Sequence, residues 1–275
     1  MKALISVDME GISGIVHSSE TNPERYDYQR GRELMTAEAN AVIAGVLDAE
    51  PTADVLVADA HGTFRNLLPE QLDRRARLVR GKPRALNMLA GLDEETDAAL
   101  FVGYHVRAGE GPGVLAHTMN GEILDVRVTG RSLGEIGLNA AMAGHLGVPV
   151  VLLSGDDAAC AEAAALIPEA VTVPVKEALG MAAAVTLHPE EARDRLRRAA
   201  ADAVSRRREI PPLSLTGPLD VEVDLASPHT IDLATLVPGV SRTAGARTVA
   251  FTAPDYGTAY RLILLLAQLA TIRPA

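Results

Sequence analysis

The sequence predicts an α/β protein: a three-layer α/β/α arrangement with a mostly parallel or mixed central sheet, plus a smaller C-terminal α+β portion. Through the first 209 residues, short apolar β-branched segments alternate with longer segments rich in Ala, Glu and Leu. A proline-rich stretch, EIPPLSLTGP, then interrupts the pattern, and shorter alternating segments follow it. We therefore expect an α/β domain at residues 1–209 and an α+β portion at 210–275.

The elements follow from these patterns in chain order. Buried strands are predicted at 2–8, 53–59, 75–81, 98–105, 148–155 and 171–175. Helices are predicted between them, at 26–49, 132–147, 156–168 and 188–208. The segment 120–130 alternates in places, which predicts an edge strand or a hairpin. Beyond the proline-rich stretch, strands are predicted at 220–225 and 246–253, and a C-terminal helix ends the chain. Alternation of strands and helices is typical of a parallel sheet covered by helices.

Composition excludes several classes of function. A formal net charge of −10 argues against nucleic acid as a partner. The single cysteine, Cys160, excludes an intramolecular disulfide and a cysteine-based zinc site. The longest apolar run, LILLLAQLA, is shorter than the ~20 residues that a membrane-spanning helix needs. The first residues lack the pattern of a signal peptide. We expect a cytoplasmic protein without a membrane or nucleic-acid partner.

Two carboxylates follow the first strand, in the stretch SVDMEG. In an extended chain the side chains of Asp8 and Glu10 point to the same face. Two anions in one small volume repel each other, and one of them would have to take up a proton. Either the chain has turned by Glu10, or a cation lies between the two side chains.

Two histidines occupy similar positions on other strands. His61 follows the strand 53–59 in VADAHG, and His105 ends the strand 98–105 in VGYHVRAG. Ligands of open parallel sheets bind outside the carboxyl ends of the strands, so these imidazoles and the two carboxylates are predicted to share one edge. Imidazole with carboxylate and no thiolate favours Zn²⁺, Mn²⁺, Fe or Co²⁺. Together the four side chains predict a metal site.

Two further residues are ambiguous when taken alone. Glu135 lies in Ser-Leu-Gly-Glu at the start of a predicted helix, and a capping box that begins at Ser132 would explain it fully. His117, in GVLAHTMNG, lies on a predicted loop and could be an ordinary surface histidine.

The chain resembles a known family, the zinc-dependent D-aminopeptidases of the DppA type. The resemblance rests on SVDMEG, on DAHG after the second strand, on GYHVRAG with HTM shortly after it, and on RSLGEIGLNA. These motifs follow in order over most of residues 1–160, whereas the last 65 or so residues agree only in general character.

The resemblance implies a catalytic domain at 1–209 that binds two Zn²⁺ ions per subunit through five ligands: Asp8, Glu10, His61, His105 and Glu135. It implies an aminopeptidase that removes an N-terminal residue, a D-amino acid such as D-Ala, from short peptides by attack of a metal-bridging hydroxide. His117 would be the catalytic histidine, which either protonates the leaving amine or holds the tetrahedral intermediate.

Two further expectations accompany this resemblance. Members of the family form homo-oligomers, ring-like decamers, and the C-terminal portion 210–275 would contribute to subunit contacts. Near the metal site, Asp59 is expected to orient the second ring nitrogen of His61.

Two other functions fit the same residues. The first is a metal-dependent hydrolase of another amide or of a phosphoester, for which Arg107 and Arg131 would supply positive charge. The second is a non-catalytic, metal-containing peptide-binding protein. Three protein ligands per metal leave open coordination positions, which favours catalysis over a structural role.

Overall fold

The computed structural model of the protein describes residues 1–243, 245 and 247–273. Within these residues the strands are β1 Lys2–Val7, β2 Asp54–Asp59, β3 Arg77–Val79, β4 Ala98–Tyr104, β5 Ile123–Val128, β6 Arg131–Ser132, β7 Val150–Asp156, β8 Val171–Gly180, β9 Ala183–Thr186, β10 Leu219–Leu225, β11 Ser241–Arg242 and β12 Thr248–Ala253. The α-helices are α1 Ser18–Thr21, α2 Tyr28–Ala49, α3 Glu135–His145, α4 Asp157–Leu166, α5 Pro189–Ser205, α6 Pro228–Ala234 and α7 Tyr256–Leu269.

The main sheet has the strand order β3-β2-β1-β4-β7-β8-β9. Every neighbouring pair is parallel except β8 and β9, which form an antiparallel hairpin. The order runs outward from β1 in both directions, so the direction of winding reverses between β1 and β4. Open α/β sheets bind their ligands at such a reversal, beyond the carboxyl ends of the strands.

Helices cover this sheet and bury an aliphatic core. The helices α2 and α5 pack against each other, with α2 on β1, β2 and β4 and α5 on β7 and β8. The helix α3 packs on β4 and β7 and also contacts α7. It is buried along almost its whole length, which explains why its sequence is apolar on all sides. The predicted α/β class with a mostly parallel central sheet is confirmed.

A second, antiparallel sheet has the order β11-β12-β10-β5-β6. The segment 210–275 provides three of its strands. The segment 120–130, predicted as an edge strand or a hairpin, provides β5, and the two-residue strand β6 follows directly after it. The division of the chain at residues 209 and 210 stays a prediction.

Some short elements carry too little periodicity to be predicted. These are α1, β9, α6 and β11. The first residue of the predicted strand 246–253 lies outside the described residues. Among the described helices, none combines the length and the apolar character that crossing a membrane requires.

Candidate metal centre

The chain that leaves β1 lies directly against the end of β4. The Asp8 N–H donates to the Val102 carbonyl, and the Gly11 N–H donates to the Gly103 carbonyl, both at 2.8 Å. A Cβ atom at Gly11 would lie 2.0 Å from the backbone carbonyl oxygen of Tyr104, so only glycine permits this approach. The strand itself ends at Val7, and the backbone turns at residues 9–11. The chain has therefore turned by Glu10, yet Asp8 and Glu10 still serve the same site.

Both carboxylates reach the ring of His61. Its Nδ1 lies 3.0 Å from Glu10 Oε2 and 3.3 Å from Asp8 Oδ1. The other ring nitrogen, Nε2, lies 2.9 Å from the Thr21 carbonyl oxygen, which can only accept a hydrogen bond. This contact keeps a proton on Nε2 and turns Nδ1 toward the carboxylates.

The expectation that Asp59 orients the His61 ring is wrong. The Asp59 carboxylate accepts the backbone N–H groups of Asn66 and Leu67 and the Asn66 side-chain amide instead. The same amide also donates to the His61 carbonyl at 2.6 Å. Asp59 thus stabilises the loop after β2, whereas the Thr21 carbonyl orients the imidazole.

His105 and Glu135 face Asp8 from the other side. His105 Nε2 lies 3.4 Å from Glu135 Oε1 and 3.6 Å from Asp8 Oδ2, distances that exceed those of good hydrogen bonds. His105 Nδ1 lies 3.1 Å from the Val106 carbonyl, which leaves Nε2 to face the carboxylates. Within the described part of the chain, His105 Nε2 and Asp8 Oδ2 are buried atoms without a hydrogen-bond partner. Buried polar atoms of this kind are costly unless another group joins them.

The capping box proposed for Glu135 is wrong. The helix α3 begins at Glu135 itself, its N-cap is Gly134, and no side chain caps it. Ser132 lies in β6 and donates from its hydroxyl to Asp125. The buried Glu135 carboxylate instead accepts the Met119 N–H at 2.6 Å, so it faces the site.

His117 lies beside this group on the loop between β4 and β5. Its ring stacks on that of His105, with a centroid distance of 4.0 Å and an interplanar angle of 14°. Its Nδ1 lies 2.8 Å from the Leu115 carbonyl, and its Nε2 lies 3.7 Å from Glu135 Oε1. Leu115 and Met119 have φ values of 52° and 62°. Such conformations cost about 1–3 kcal/mol each in non-glycine residues, and they concentrate at functional sites.

The charges of the site strongly shift its pKa values. Burial and the neighbouring Glu10 raise the pKa of Asp8 to about 8. Burial lowers the pKa of His105, but Glu135 and Asp8 outweigh it and raise the value to about 10. Burial also lowers the pKa of His61, but Glu10 and Asp8 outweigh it and raise the pKa well above its ordinary value.

The remaining groups shift the other way. Burial would raise the pKa of Glu10 and of Glu135, but His61 lowers the first and His105 lowers the second. Burial and the adjacent His105 lower the pKa of His117, so its ring is neutral near pH 7.

All six predicted site residues therefore meet at one edge of the sheet. Ligand atoms of two sets approach within 4.8 Å of one another: His105, His117 and Glu135 form one set, and Asp8, Glu10 and His105 form the other. His61 joins the second group through its contacts with Asp8 and Glu10. Backbone carbonyls hold each histidine so that one ring nitrogen faces the carboxylates, as metal-binding histidines require. Nitrogen and carboxylate donors without thiolate suit zinc.

A cavity of about 380 Å³ opens onto this cluster. Asp8, His61, His117 and Glu135 form part of its wall. Its other lining residues include some that sequence reasoning did not identify: Phe64, Lys82, Arg84, Asn87, Met88, Met119, Leu264, Ala267 and Gln268. The last three belong to α7, where the sequence shows only an amphipathic helix. The C-terminal portion therefore helps to form the cavity.

Arg107 and Arg131 lie elsewhere. Both line a second cavity, in which Arg107 pairs with Glu110 and Arg131 donates to the Ala165 carbonyl. The two arginines considered as phosphate-binding groups are thus engaged outside the cavity beside the carboxylate and imidazole cluster, where Lys82 and Arg84 are the cationic side chains instead.

Comparison with known proteins agrees with this geometry. The D-aminopeptidase of Bacillus subtilis (strain 168) is 37% identical to this chain over 270 residues, which are 98% of each protein. The solved structure of the Zn-dependent D-aminopeptidase DppA from Bacillus subtilis, described as a self-compartmentalizing protease, aligns over 100% of both chains. Its TM-score is 0.96 and its sequence identity 36%. The model of peptidase family M55, the D-aminopeptidases, matches residues 1–265. The chain belongs to this D-aminopeptidase family.

Proposed function

We propose that the protein is a two-zinc aminopeptidase that removes an N-terminal D-amino acid, such as D-Ala, from short peptides. The observation that carries this proposal is the convergence of three carboxylates and three imidazoles in one cluster, four of whose members line an open cavity. Membership in the D-aminopeptidase family supports the choice of bond and of substrate.

Five side chains would hold the two zinc ions. Asp8 lies between the other ligands, with Oδ1 near His61 and Oδ2 near His105, and is suited to bridge two metals. Glu10 and His61 would complete one position, and His105 and Glu135 the other. Three carboxylates carry −3, which two Zn²⁺ ions and one hydroxide balance. Bound zinc would polarise the scissile carbonyl and lower the pKa of a water molecule so that hydroxide forms near neutral pH.

His117 would move protons. Its Nδ1 proton is held by the Leu115 carbonyl, so the neutral ring presents an unprotonated Nε2 beside Glu135 and the cavity. Hydrolysis of a peptide requires removal of a proton from the attacking water and delivery of one to the leaving amine. A part-exposed histidine at the cavity wall is suited to accept the first proton and to deliver it to the amine. The same position suits a further metal ligand, and zinc content after substitution separates the two roles.

The cavity would bind both ends of a short peptide. The free amino terminus would bind the second zinc ion or an oxygen of a nearby carboxylate. At the cavity wall, the exposed Lys82 lies with its ammonium group 5.7 Å from the centre of the Phe64 ring, and it would attract the carboxylate terminus. A cavity of this size selects small substrates.

We also propose that the protein assembles into a homo-oligomer, a ring-like decamer in which the C-terminal portion 210–275 contributes to subunit contacts. The related DppA from Bacillus subtilis is described as self-compartmentalizing. Such an assembly would limit access to short peptides.

Metal removal combined with a panel of peptides tests this function. A chelator should abolish hydrolysis, Zn²⁺ should restore it, and elemental analysis should find about two zinc ions per chain. Dipeptides that begin with D-Ala should be cleaved faster than the matching L-Ala peptides, and p-nitrophenyl phosphate should remain intact. Zinc-loaded protein that binds these peptides without cleaving them would instead support a non-catalytic role.

A further inference from the structure

Lys176 is a buried cation beneath the proposed metal centre. It lies on β8, which β4 and β7 separate from β1, and only 3% of the residue is exposed. Its ammonium group donates to three backbone oxygens: Glu10 at 2.5 Å, Ile12 at 2.9 Å and Ile15 at 2.6 Å. An ammonium group has three protons, so these bonds satisfy it fully. Burial of a charge is costly, and these three hydrogen bonds offset that cost.

The three oxygens belong to one irregular segment, residues 10–15, which connects β1 to the start of α1. The segment is held from other directions as well. Glu38 of α2 accepts the Ser13 N–H at 2.8 Å, and the Ser13 hydroxyl donates to the Leu187 carbonyl at 2.8 Å. On the opposite side, Gly11 lies against β4. Without the ammonium group, the Ile12 carbonyl would keep the Ile15 N–H at 3.2 Å, but the Glu10 and Ile15 carbonyls would have no donor among the described residues.

The first of these oxygens belongs to Glu10, whose side chain reaches His61 Nδ1 at 3.0 Å. The backbone bond to Lys176 and the carboxylate contact with His61 thus lie at the two ends of the same residue. Asp8 depends less on this bond, because its own N–H is fixed by Val102 of β4.

We propose that Lys176 is a positioning residue of the metal centre: its bonds to the carbonyls of Glu10, Ile12 and Ile15 fix the Glu10 carboxylate as a ligand. The inference rests on the ligand roles in the proposed function. It assigns Lys176 to one metal position, the one formed by Glu10 and His61. The position formed by His105 and Glu135 is held by other contacts, from Val106 and Met119.

The test compares Lys176→Met with wild type and with Lys2→Met. The control residue, Lys2, is the first residue of β1 and pairs with Asp93. Each protein is stripped of metal, titrated with Zn²⁺ against a competing chelator, and examined by Co²⁺ absorption. Thermal unfolding of the metal-free proteins reports folding separately. We expect Lys176→Met to bind one zinc ion as wild type does and to bind the second at least 10-fold more weakly, whereas Lys2→Met keeps both affinities. A folded Lys176→Met protein that binds two zinc ions with wild-type affinities would overturn the inference.

A second variant covers poor folding of Lys176→Met. Lys176→Ala leaves space beside the three carbonyl oxygens, and methylammonium can donate to them where tetramethylammonium cannot. Methylammonium should therefore strengthen the weakened zinc position, and an equal response to both ions would overturn the inference. If wild type itself binds a single zinc ion that Lys176→Met loses, the two-zinc proposal fails while the role of Lys176 stands.

Discussion

At the scale of single residues, His117 can be tested for a catalytic role separately from a role in zinc binding. We expect His117→Ala to retain about two zinc ions per chain and to lose about 10²–10⁴-fold in kcat, the usual contribution of a general acid–base residue. Its neutral ring presents Nε2 to the cavity, whereas the five proposed ligands contact one another without it. Kinetics and elemental analysis of the same preparation check this expectation.

His145→Ala provides the control for that substitution. His145 ends α3 and lies 3.9 Å from Asp255, outside the cavity lining. Its removal should leave kcat unchanged. Near-normal turnover of His117→Ala would contradict the catalytic role, and loss of zinc from His117→Ala would make His117 a ligand.

The pKa shifts of the metal-free site predict strongly pH-dependent zinc binding. At pH 7, Asp8, His61 and His105 hold protons. The pKa of Asp8 is about 8 and that of His105 about 10, and the pKa of His61 lies well above its ordinary value. Zinc must displace these three protons, and formation of the proposed hydroxide releases one more, so binding should release about three to four protons. Affinity should therefore rise with pH through neutrality and level off only as pH passes the raised values. Calorimetric titration in buffers with different ionisation enthalpies counts the protons, and buffer-independent heats would contradict the prediction.

Sequence identifies these residues better than it identifies their surroundings. Asp8, Glu10, His61 and His105 stand directly after apolar strands, so strand position alone predicts that they share an edge. Glu135 and His117 carry no such signal, since one starts a helix and the other lies on a loop, and only the family resemblance singles them out. Lys176 was missed because the loop that it supports lies more than 160 residues away in the sequence.

At the scale of elements, Asp156 at the end of β7 connects α4 to the loop between β4 and β5, which carries His117. One carboxylate oxygen caps α4 at the Ala159 N–H, and the other accepts the buried Val114 N–H, three residues before His117. Asp156→Ala removes a cap worth about 0.5–2 kcal/mol. It also leaves a buried N–H without a partner, at about 1–3 kcal/mol. We expect both the free energy of unfolding and kcat to fall.

Asp255→Ala is the matched control, because the half-buried Asp255 caps α7 at the Thr258 N–H and does not contact the loop that carries His117. It should lose about 1 kcal/mol of stability and keep its kcat. Denaturant unfolding and kinetics at saturating zinc compare the two variants. Equal losses of kcat would show that Asp156 does not position the loop.

Most long elements agree with the sequence prediction and most short ones do not, for a physical reason; β8 is an exception, because it continues to Gly180, beyond the predicted end at residue 175. Strands such as β1, β2 and β4 are buried on both faces and show continuous apolar runs, whereas β6 and β11 have two residues each. The pairing of β5 with β10 joins residues about 95 positions apart, and no local pattern encodes it. The prediction of a capping box was wrong for a related reason, because the Ser132 hydroxyl donates to Asp125 of the neighbouring strand β5 and not to the backbone of α3.

At the scale of the whole molecule, exposed apolar side chains provide candidate contacts for the proposed assembly. The hairpin of β8 and β9 exposes Leu179, Met181 and Val185, each by more than half of its surface. The C-terminal portion exposes Leu236 by 78%. On the hairpin the three exposed apolar side chains lie within seven residues of one another in the sequence, whereas Leu236 stands alone in its segment. The ring-like decamer proposed above requires contacts between subunits, and we propose the hairpin and the region of Leu236 as two such contacts.

Light scattering coupled to size-exclusion chromatography tests this assembly. Ten chains of 28.9 kDa would give about 289 kDa. We expect the double variant Leu179→Asp/Met181→Asp to fall well below that mass, because charge in an apolar contact is costly. Leu236→Asp should lower the mass through the C-terminal contact. Tyr26→Asp, which replaces a side chain that is 87% exposed outside both surfaces, should not. A wild-type protein that elutes as a single chain would refute the assembly while leaving the chemistry of the metal centre intact, since all five proposed ligands come from one chain.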